Sequence, residues 1–263
     1  MIFSNSSLPS KETPGMGLYT VITNSYPIPL HTNPSMGQED DCKKWQTNSK
    51  TLNLGGSADM IEKNVVTDFS AKAVAPVIDP STYVHPLAAV IGNVTLGKNI
   101  MVSPFASIRG DEGQPLFVGD NANVQDGVII HALETELNGA PVEKNLLTVE
   151  GKKYAVYVGN RVSLAHQVQI HGPAVVLDET FVGMQSLVFK SFVGRGCVIE
   201  PGCLLMGVTV ADGRYVPAGS VIKTQEQADA LPVITEDYPF RTLNKGVLHV
   251  NTSLAKGYLA AHK

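Results

Sequence analysis

The stretch Val84-His-Pro-Leu-Ala-Ala-Val90-Ile-Gly-Asn-Val-Thr-Leu96-Gly-Lys-Asn-Ile-Met-Val102-Ser-Pro-Phe-Ala-Ser-Ile108 places an aliphatic residue at every sixth position. The spacing resumes at Val118, Val124 and Ile130. It returns at Val158, Leu164, Ile170, Val176, Val182 and Val188 and, after a slip, at Val193, Ile199 and Leu205. Four residues after most of these stands a small or branched residue, as at Ala88, Val94, Ala106, Ala122, Val162 and Ala174. A period of six fits neither an α-helix nor a flat strand. It predicts an all-β solenoid, a parallel β-helix of hexapeptide repeats wound into a three-sided prism with the marked residues inside.

Outward from this frame the organisation follows. Residues 1–74 show no repeat, are rich in Ser, Thr, Asn, Gly and Pro, and are expected to form a disordered N-terminal extension. The β-helix is expected over 75–223. Over 224–263 a short helix near Thr224–Ala230 should precede a C-terminal α-helix, from the spacing of Val247, Leu248, Asn251, Leu254 and Tyr258. That last helix is expected to pack along the prism and cap an open sheet edge. Two stretches break the hexads, Arg109 to Phe117 and Ala132 to Tyr157, and insertions in repeat proteins gather on the functional face.

Composition narrows the function. The chain has 263 residues and a formal net charge of −4, which argues against a basic nucleic-acid footprint. No apolar run is long enough to span a bilayer, and the N-terminus lacks a basic region followed by an apolar one. A cytoplasmic protein with no nucleic-acid or membrane partner is expected. The three cysteines make no disulfide framework. Cys42 lies in the polar N-terminal segment, whereas Cys197 and Cys203 occupy small core positions of consecutive hexads. They read either as buried thiols or as a reversible redox pair.

The hexad phase places the polar residues. Three hexads make one coil, so residues 18 apart stack at about 4.8 Å. Ile130 and Ile170 are 40 positions apart, and 22 of these belong to the inserted loop, leaving 18. His131 and His171 should therefore stand outward on adjacent coils. The same count, with an insertion of 4, puts Arg109 under His131. On a neighbouring face Asp126 should stack with His166, and Gln125 with Ala165. His166 lies around a corner from His171 and can join the other two only from a second subunit, most simply in a cyclic homotrimer. A lone histidine is more often a surface group than a ligand. Three histidines with an open fourth position form a hydrolytic or hydrating zinc site. Arg109 and Asp126 are candidates for an intersubunit pair.

Ile108-Arg-Gly-Asp-Glu-Gly113, Asn123-Val-Gln-Asp-Gly127, His131-Ala-Leu-Glu134 and Ser163-Leu-Ala-His166 with His171-Gly172 together resemble the gamma-class carbonic anhydrases, over about Pro76 to Tyr258. The resemblance implies a left-handed coil and metal-hydroxide-catalysed, reversible hydration of CO2 to bicarbonate at three interfacial sites of a homotrimer. It implies Zn2+, with Fe2+ in some members. It further implies His131 and His171 as metal ligands from one subunit and His166 as the ligand from its neighbour. Gln125 resembles the residue that hydrogen-bonds the metal-bound water, and Arg109 and Asp126 the intersubunit pair, with Asp111 beside it. Glu112 and Glu134 match the acidic residues of proton transfer, and Asn251 an active-site asparagine. His249 stands where the family prototype carries a tyrosine. Carboxysome-associated relatives share the domain and, in some members, a cysteine pair like Cys197 and Cys203, so carboxysome association is an alternative location. The rival readings are a hexapeptide acyltransferase and a catalytically inactive carboxysome-type scaffold.

Overall fold

The computed structural model describes residues 60–262. Residues 1–59, including Cys42, lie outside this range. Short parallel strands wind into a prism of three sheets. The first sheet has eight strands, running from Ile61–Glu62 to Val221–Ile222; the second and third have seven each. Successive side chains alternate across a strand. The hexad residues point inward and are sealed: Val90, Ile108, Ile130, Val158, Leu164 and Val188 are all 0 % exposed. Burying each such aliphatic side chain stabilises the fold by about 1.5–3 kcal/mol. One contiguous apolar core results, and the coil is left-handed, as in other hexapeptide-repeat proteins.

Registers follow the phase. Ile130 pairs with both Ile108 and Ile170, and Leu164 with Val124. After Val188 the partner is Leu205, so the slip at Val193 is a shortened coil rather than a break. The corners are held by side chains. Asp120 Oδ1 accepts from the Lys98 amide at 2.8 Å, Asn160 Oδ1 from the Asp120 amide at 2.9 Å, and Asp178 Oδ1 from the Asn160 amide at 2.8 Å. Asn99 and Asn121 turn the same corner with φ of 55° and 57°, the left-handed region that asparagine tolerates.

Three features depart from the expected layout. The prism begins before residue 75: Ile61–Glu62 pairs in parallel with Val90–Ile91, and the buried Asn64 bonds to Ser70, Lys72 and Val74. This segment lacks hexads because one edge strand needs only backbone partners. The insertion after Ala132 holds two short hairpins, Glu136–Leu137 with Ala140–Pro141 and Leu147–Val149 with Lys152–Tyr154. The C-terminal helix does not cap an edge. The short helix α1 (Gln225–Asp229), with Thr224 as its N-cap in a capping box, brings Ala228 and Leu231 into the main core at the end of the coil. The long helix α2 (Leu243–Ala261) lies across the face of the third sheet. There Ala255 packs with Tyr83 and Met101, and Asn244 Nδ2 donates to the Arg161 and Glu179 carbonyls at 2.9 Å each.

Candidate metal centre

Strands Ser107–Gly110, Ile129–Ala132 and Gln169–Gly172 lie side by side in the first sheet. Their isoleucines point inward, so the following residue of each points out. Arg109, His131 and His171 therefore form one outward column. His131 and His171 are register partners with ring centroids 5.5 Å apart at 74°. One coil further on, Phe189 continues the column and packs its ring 5.4 Å from that of His171. Sequence reasoning passed over Phe189; its outward place at the same offset was the available signal.

The column is electrostatically incomplete. The Nδ1 of His171 lies 3.2 Å from the Gly172 carbonyl, which, by accepting the Nδ1 proton, leaves Nε2 as the lone-pair atom. Burial pushes the His131 pKa below its ordinary value, helped by the Arg109 charge and opposed by Glu112 and Asp111. The shift favours the neutral ring, the form that ligates a metal. Its Nε2 lies 3.4 Å from Asp111 Oδ1 and 3.5 Å from Glu112 Oε2. Both His131 Nε2 and Asp111 Oδ1 are buried without a hydrogen-bond partner among the described residues. Such orphans are costly, and a cation held by imidazole nitrogens beside two carboxylates would satisfy them. The donor set therefore fits a divalent metal. Asp111 Oδ2 is already engaged by Arg109 at 3.1 Å.

His166 lies in the turn that follows strand Ser163–Leu164 of the third sheet. Its Nδ1 lies 2.9 Å from Asp126 Oδ2, leaving Nε2 outward. Gln125, Asp126, His166 and Asn251 border one groove of about 610 Å³ between the third sheet and α2, walled largely by apolar side chains such as Ala165, Phe181, Met184 and Val247. Gln125 and Asn251 are each 8 % exposed; the Asn251 amide donates to the Val247 carbonyl at 3.0 Å.

Within one chain these two halves stay apart. Among the described residues no three metal-ligating side chains gather around one point. Arg109 pairs with Asp111 rather than Asp126, whose partner is His166. Glu134, half-buried in the insertion, makes no side-chain hydrogen bond or ion pair among the described residues, and its carbonyl accepts from Asn145 at 2.7 Å. His249 is exposed on α2. Cys197 and Cys203 are free thiols, 0 % and 1 % exposed, directed at the carbonyls of Ala211 and Pro217. Burial pushes the Cys197 pKa up to about 11, and raises that of Cys203. Both serve as core residues in this structure.

No protein-family model matches the chain. A carbonic anhydrase of Methanosarcina thermophila is 58 % identical over 199 residues, 75 % of this chain and 81 % of that protein. The carboxysome assembly protein CcmM of Nostoc is 41 % identical over 74 % of this chain, which spans 33 % of its length. The mitochondrial gamma carbonic anhydrase 1 of Arabidopsis thaliana is 30 % identical over 56 % of this chain and 47 % of that protein. Among solved structures, a hexapeptide transferase family protein of Anaplasma phagocytophilum superposes with a TM-score of 0.52 at 22 % identity, covering 70 % of this chain and 93 % of that one, a likeness of fold alone. With most of the chain matched at 58 % identity, it belongs to the gamma-class carbonic anhydrases.

Proposed function

We propose that the chain catalyses the reversible hydration of CO2 to bicarbonate in a homotrimer. A divalent metal, zinc with ferrous iron as the alternative, is held at each interface by His131 and His171 of one copy and His166 of the next. The observation that carries this reading is the His131–His171 register pair with its orphaned Nε2. The ion, when bound, supplies Lewis acidity that brings the ionisation of water into the neutral pH range.

The chain's own residues do the rest. The Gly172 carbonyl and Asp126 take the Nδ1 side of His171 and His166 and so aim Nε2 outward. Gln125 turns its nitrogen to Asn123 Oδ1 at 3.0 Å, which leaves Oε1 free to accept a hydrogen bond from the attacking oxygen and orient it. The apolar wall of the groove suits an uncharged linear gas and excludes water from the carbon under attack. Glu112, 3.5 Å from His131 and with its side chain 38 % exposed, links the site to solvent. It is the acceptor for the released proton, with Glu134 as the next carrier; such transfers contribute roughly 10²–10⁴-fold. Arg109 and Asp111 set the charge beside the ligands, and across the interface Arg109 meets Asp126. Asn251 borders the groove opposite Gln125 and contacts bicarbonate.

The test pairs elemental analysis of anaerobically purified protein with a CO2 hydration assay. About one ion per chain and rapid hydration are expected, both lost in His131→Ala. Hydration retained in that variant overturns the assignment. A scaffold role, suggested by the likeness to CcmM, predicts metal and assembly without hydration. Among the described residues no helix is long and apolar enough to cross a membrane.

A further inference from the structure

We propose that Thr135 is a positioning residue: its hydroxyl fastens the loop that carries Glu112 to the insertion that carries Glu134, and so fixes the spacing between the two carboxylates. The inference rests on the reading of Glu112 and Glu134 as the proton route and adds the device that joins them.

Glu112 lies between strands Ser107–Gly110 and Leu116–Val118, and Glu134 opens the insertion after strand Ile129–Ala132. Neither stretch belongs to the ladder of the prism, so its main chain needs other partners. Each finds them in the other. A Cβ on Gly113, the residue after Glu112, would stand 2.3 Å from Ala132 Cβ and 2.4 Å from the Leu133 carbonyl oxygen. The two main chains therefore touch just before Glu134. Just after it, Thr135 Oγ1 accepts from the Gln114 amide at 3.0 Å and donates to the Gln114 carbonyl at 2.8 Å. Thr135 is 5 % exposed, so water does not compete freely for these bonds. Glu112 and Glu134 each stand within two residues of both contacts.

The direction of the bonds is fixed at both ends. A hydroxyl has one proton and two lone pairs. A main-chain N–H can only donate and a carbonyl can only accept, so Thr135 gives its proton to one and a lone pair to the other. Both bonds end on one residue, which makes a two-point clamp rather than a hinge. Each side of the clamp is anchored in turn. The Gln114 side chain bonds to the buried Ser70 hydroxyl at 2.9 Å, and the Thr135 carbonyl accepts from the Val142 amide at 2.8 Å. The Glu134 carbonyl accepts from the buried Asn145 side chain at 2.7 Å. The Glu134 carboxylate, by contrast, has no bond to any described residue. A free carboxylate on a fixed main chain can turn between a donor and an acceptor without losing its place between them.

The experiment uses the full-length, metal-loaded enzyme. Thr135→Val keeps the shape and removes both bonds; Thr135→Ser retains them. Bicarbonate leaves before the proton does, so kcat/KM reports hydration and kcat in dilute buffer reports proton transfer. We expect Thr135→Val to lower kcat about tenfold in dilute buffer, with recovery in concentrated imidazole buffer. Its kcat/KM and metal content should stay at the wild-type values. Thr135→Ser should hold kcat within about twofold of wild type. In a Glu134→Gln background Thr135→Val should have almost no further effect. A parallel fall in kcat and kcat/KM, a loss that buffer does not rescue, or an equal loss in both backgrounds overturns the proposal. So does wild-type kcat in Thr135→Val where Glu112→Gln slows the enzyme. A second readout needs no turnover: the Gln114 main-chain amide should exchange its hydrogen about tenfold faster in Thr135→Val and at the wild-type rate in Thr135→Ser. Unchanged exchange in Thr135→Val also overturns it. If Glu112→Gln and Glu134→Gln both leave kcat intact, the reading of the proton route has failed, and the exchange measurement still decides the clamp. Should Thr135→Val fail to fold, Thr135→Cys keeps a weak donor and acceptor at the same place and is expected to show the same buffer-rescued loss.

Discussion

Replacing Gly172 by alanine tests the packing that aims His171. Gly172 ends strand Gln169–Gly172, and its carbonyl lies 3.2 Å from His171 Nδ1. A Cβ there would sit 2.4 Å from the Ala155 carbonyl oxygen, 2.6 Å from Ala132 Cβ and 3.0 Å from Val156 Cγ2. Gly172 is not in the left-handed region, so the conflict is steric and not conformational. Ordinary contact begins near 3.4 Å, so the strands must part by about 1 Å. The closest obstacles are backbone and a Cβ on the His131 strand, neither of which can swing aside. Overpacking of this kind costs about 1–3 kcal/mol. For a chain of this size that corresponds to a fall in Tm of about 2–10 °C. A displacement of about 1 Å at a catalytic centre also costs on the order of 10²-fold in rate. Differential scanning fluorimetry and stopped-flow CO2 hydration measure the two effects. Gly257→Ala in α2 is the control: its Cβ meets nothing within 4 Å, and it should raise stability by up to about 1 kcal/mol. Gly172→Ala with wild-type Tm and wild-type kcat/KM would refute the description of this corner.

Further outcomes follow from the same geometry. If the ligands come from two copies, His131→Ala and His166→Ala are each inactive, yet mixing them after dissociation should restore about a quarter of the sites, by random assortment in a cyclic trimer; no recovery would place all ligands in one chain. Iodoacetamide at pH 8 should leave Cys197 unmodified in the native protein, because its thiol is fully buried with a pKa of about 11. Stability should then fall as pH rises from about 8.5, where the unfolded thiol ionises, towards 11, because only the unfolded chain releases the proton there. The loss is on the order of 2–3 kcal/mol and is read from urea midpoints against Cys197→Ala. Glu112→Gln should leave metal content intact and lower kcat about tenfold in dilute buffer, with rescue by concentrated imidazole buffer; insensitivity to buffer would remove Glu112 from the proton route.

Much of this was legible before any coordinates. The hexads name the core residues one by one, because a period of six on a three-sided coil seals two positions per face, the aliphatic one and the small one four residues on. Counting coils then puts His131 over Arg109 and beside His171, and Asp126 beside His166, since a parallel register is additive along the chain. Ile61–Glu62 was not legible: an edge strand held by backbone bonds needs no side-chain pattern. The hairpins in the insertion were hidden for the same reason. Glu134 carries a family motif, but its side chain finds no partner among the described residues.

What the one-dimensional pattern determined, then, is which residues share a face and in what order they stack, because repeat spacing alone dictates that. What needed the tertiary structure is everything set by atoms meeting across faces and elements. The lowered pKa of His131 comes from its burial, and its Nε2 stands unbonded beside the Asp111 and Glu112 carboxylates, 3.4 Å and 3.5 Å away. The path of α2 over the third sheet rests on contacts between residues far apart in the chain, Asn244 with the Arg161 and Glu179 carbonyls and Ala255 with Tyr83, and Asn123 meets Ser163 40 residues on. No local period encodes such contacts, since each depends on which groups water has been driven from when the coils close.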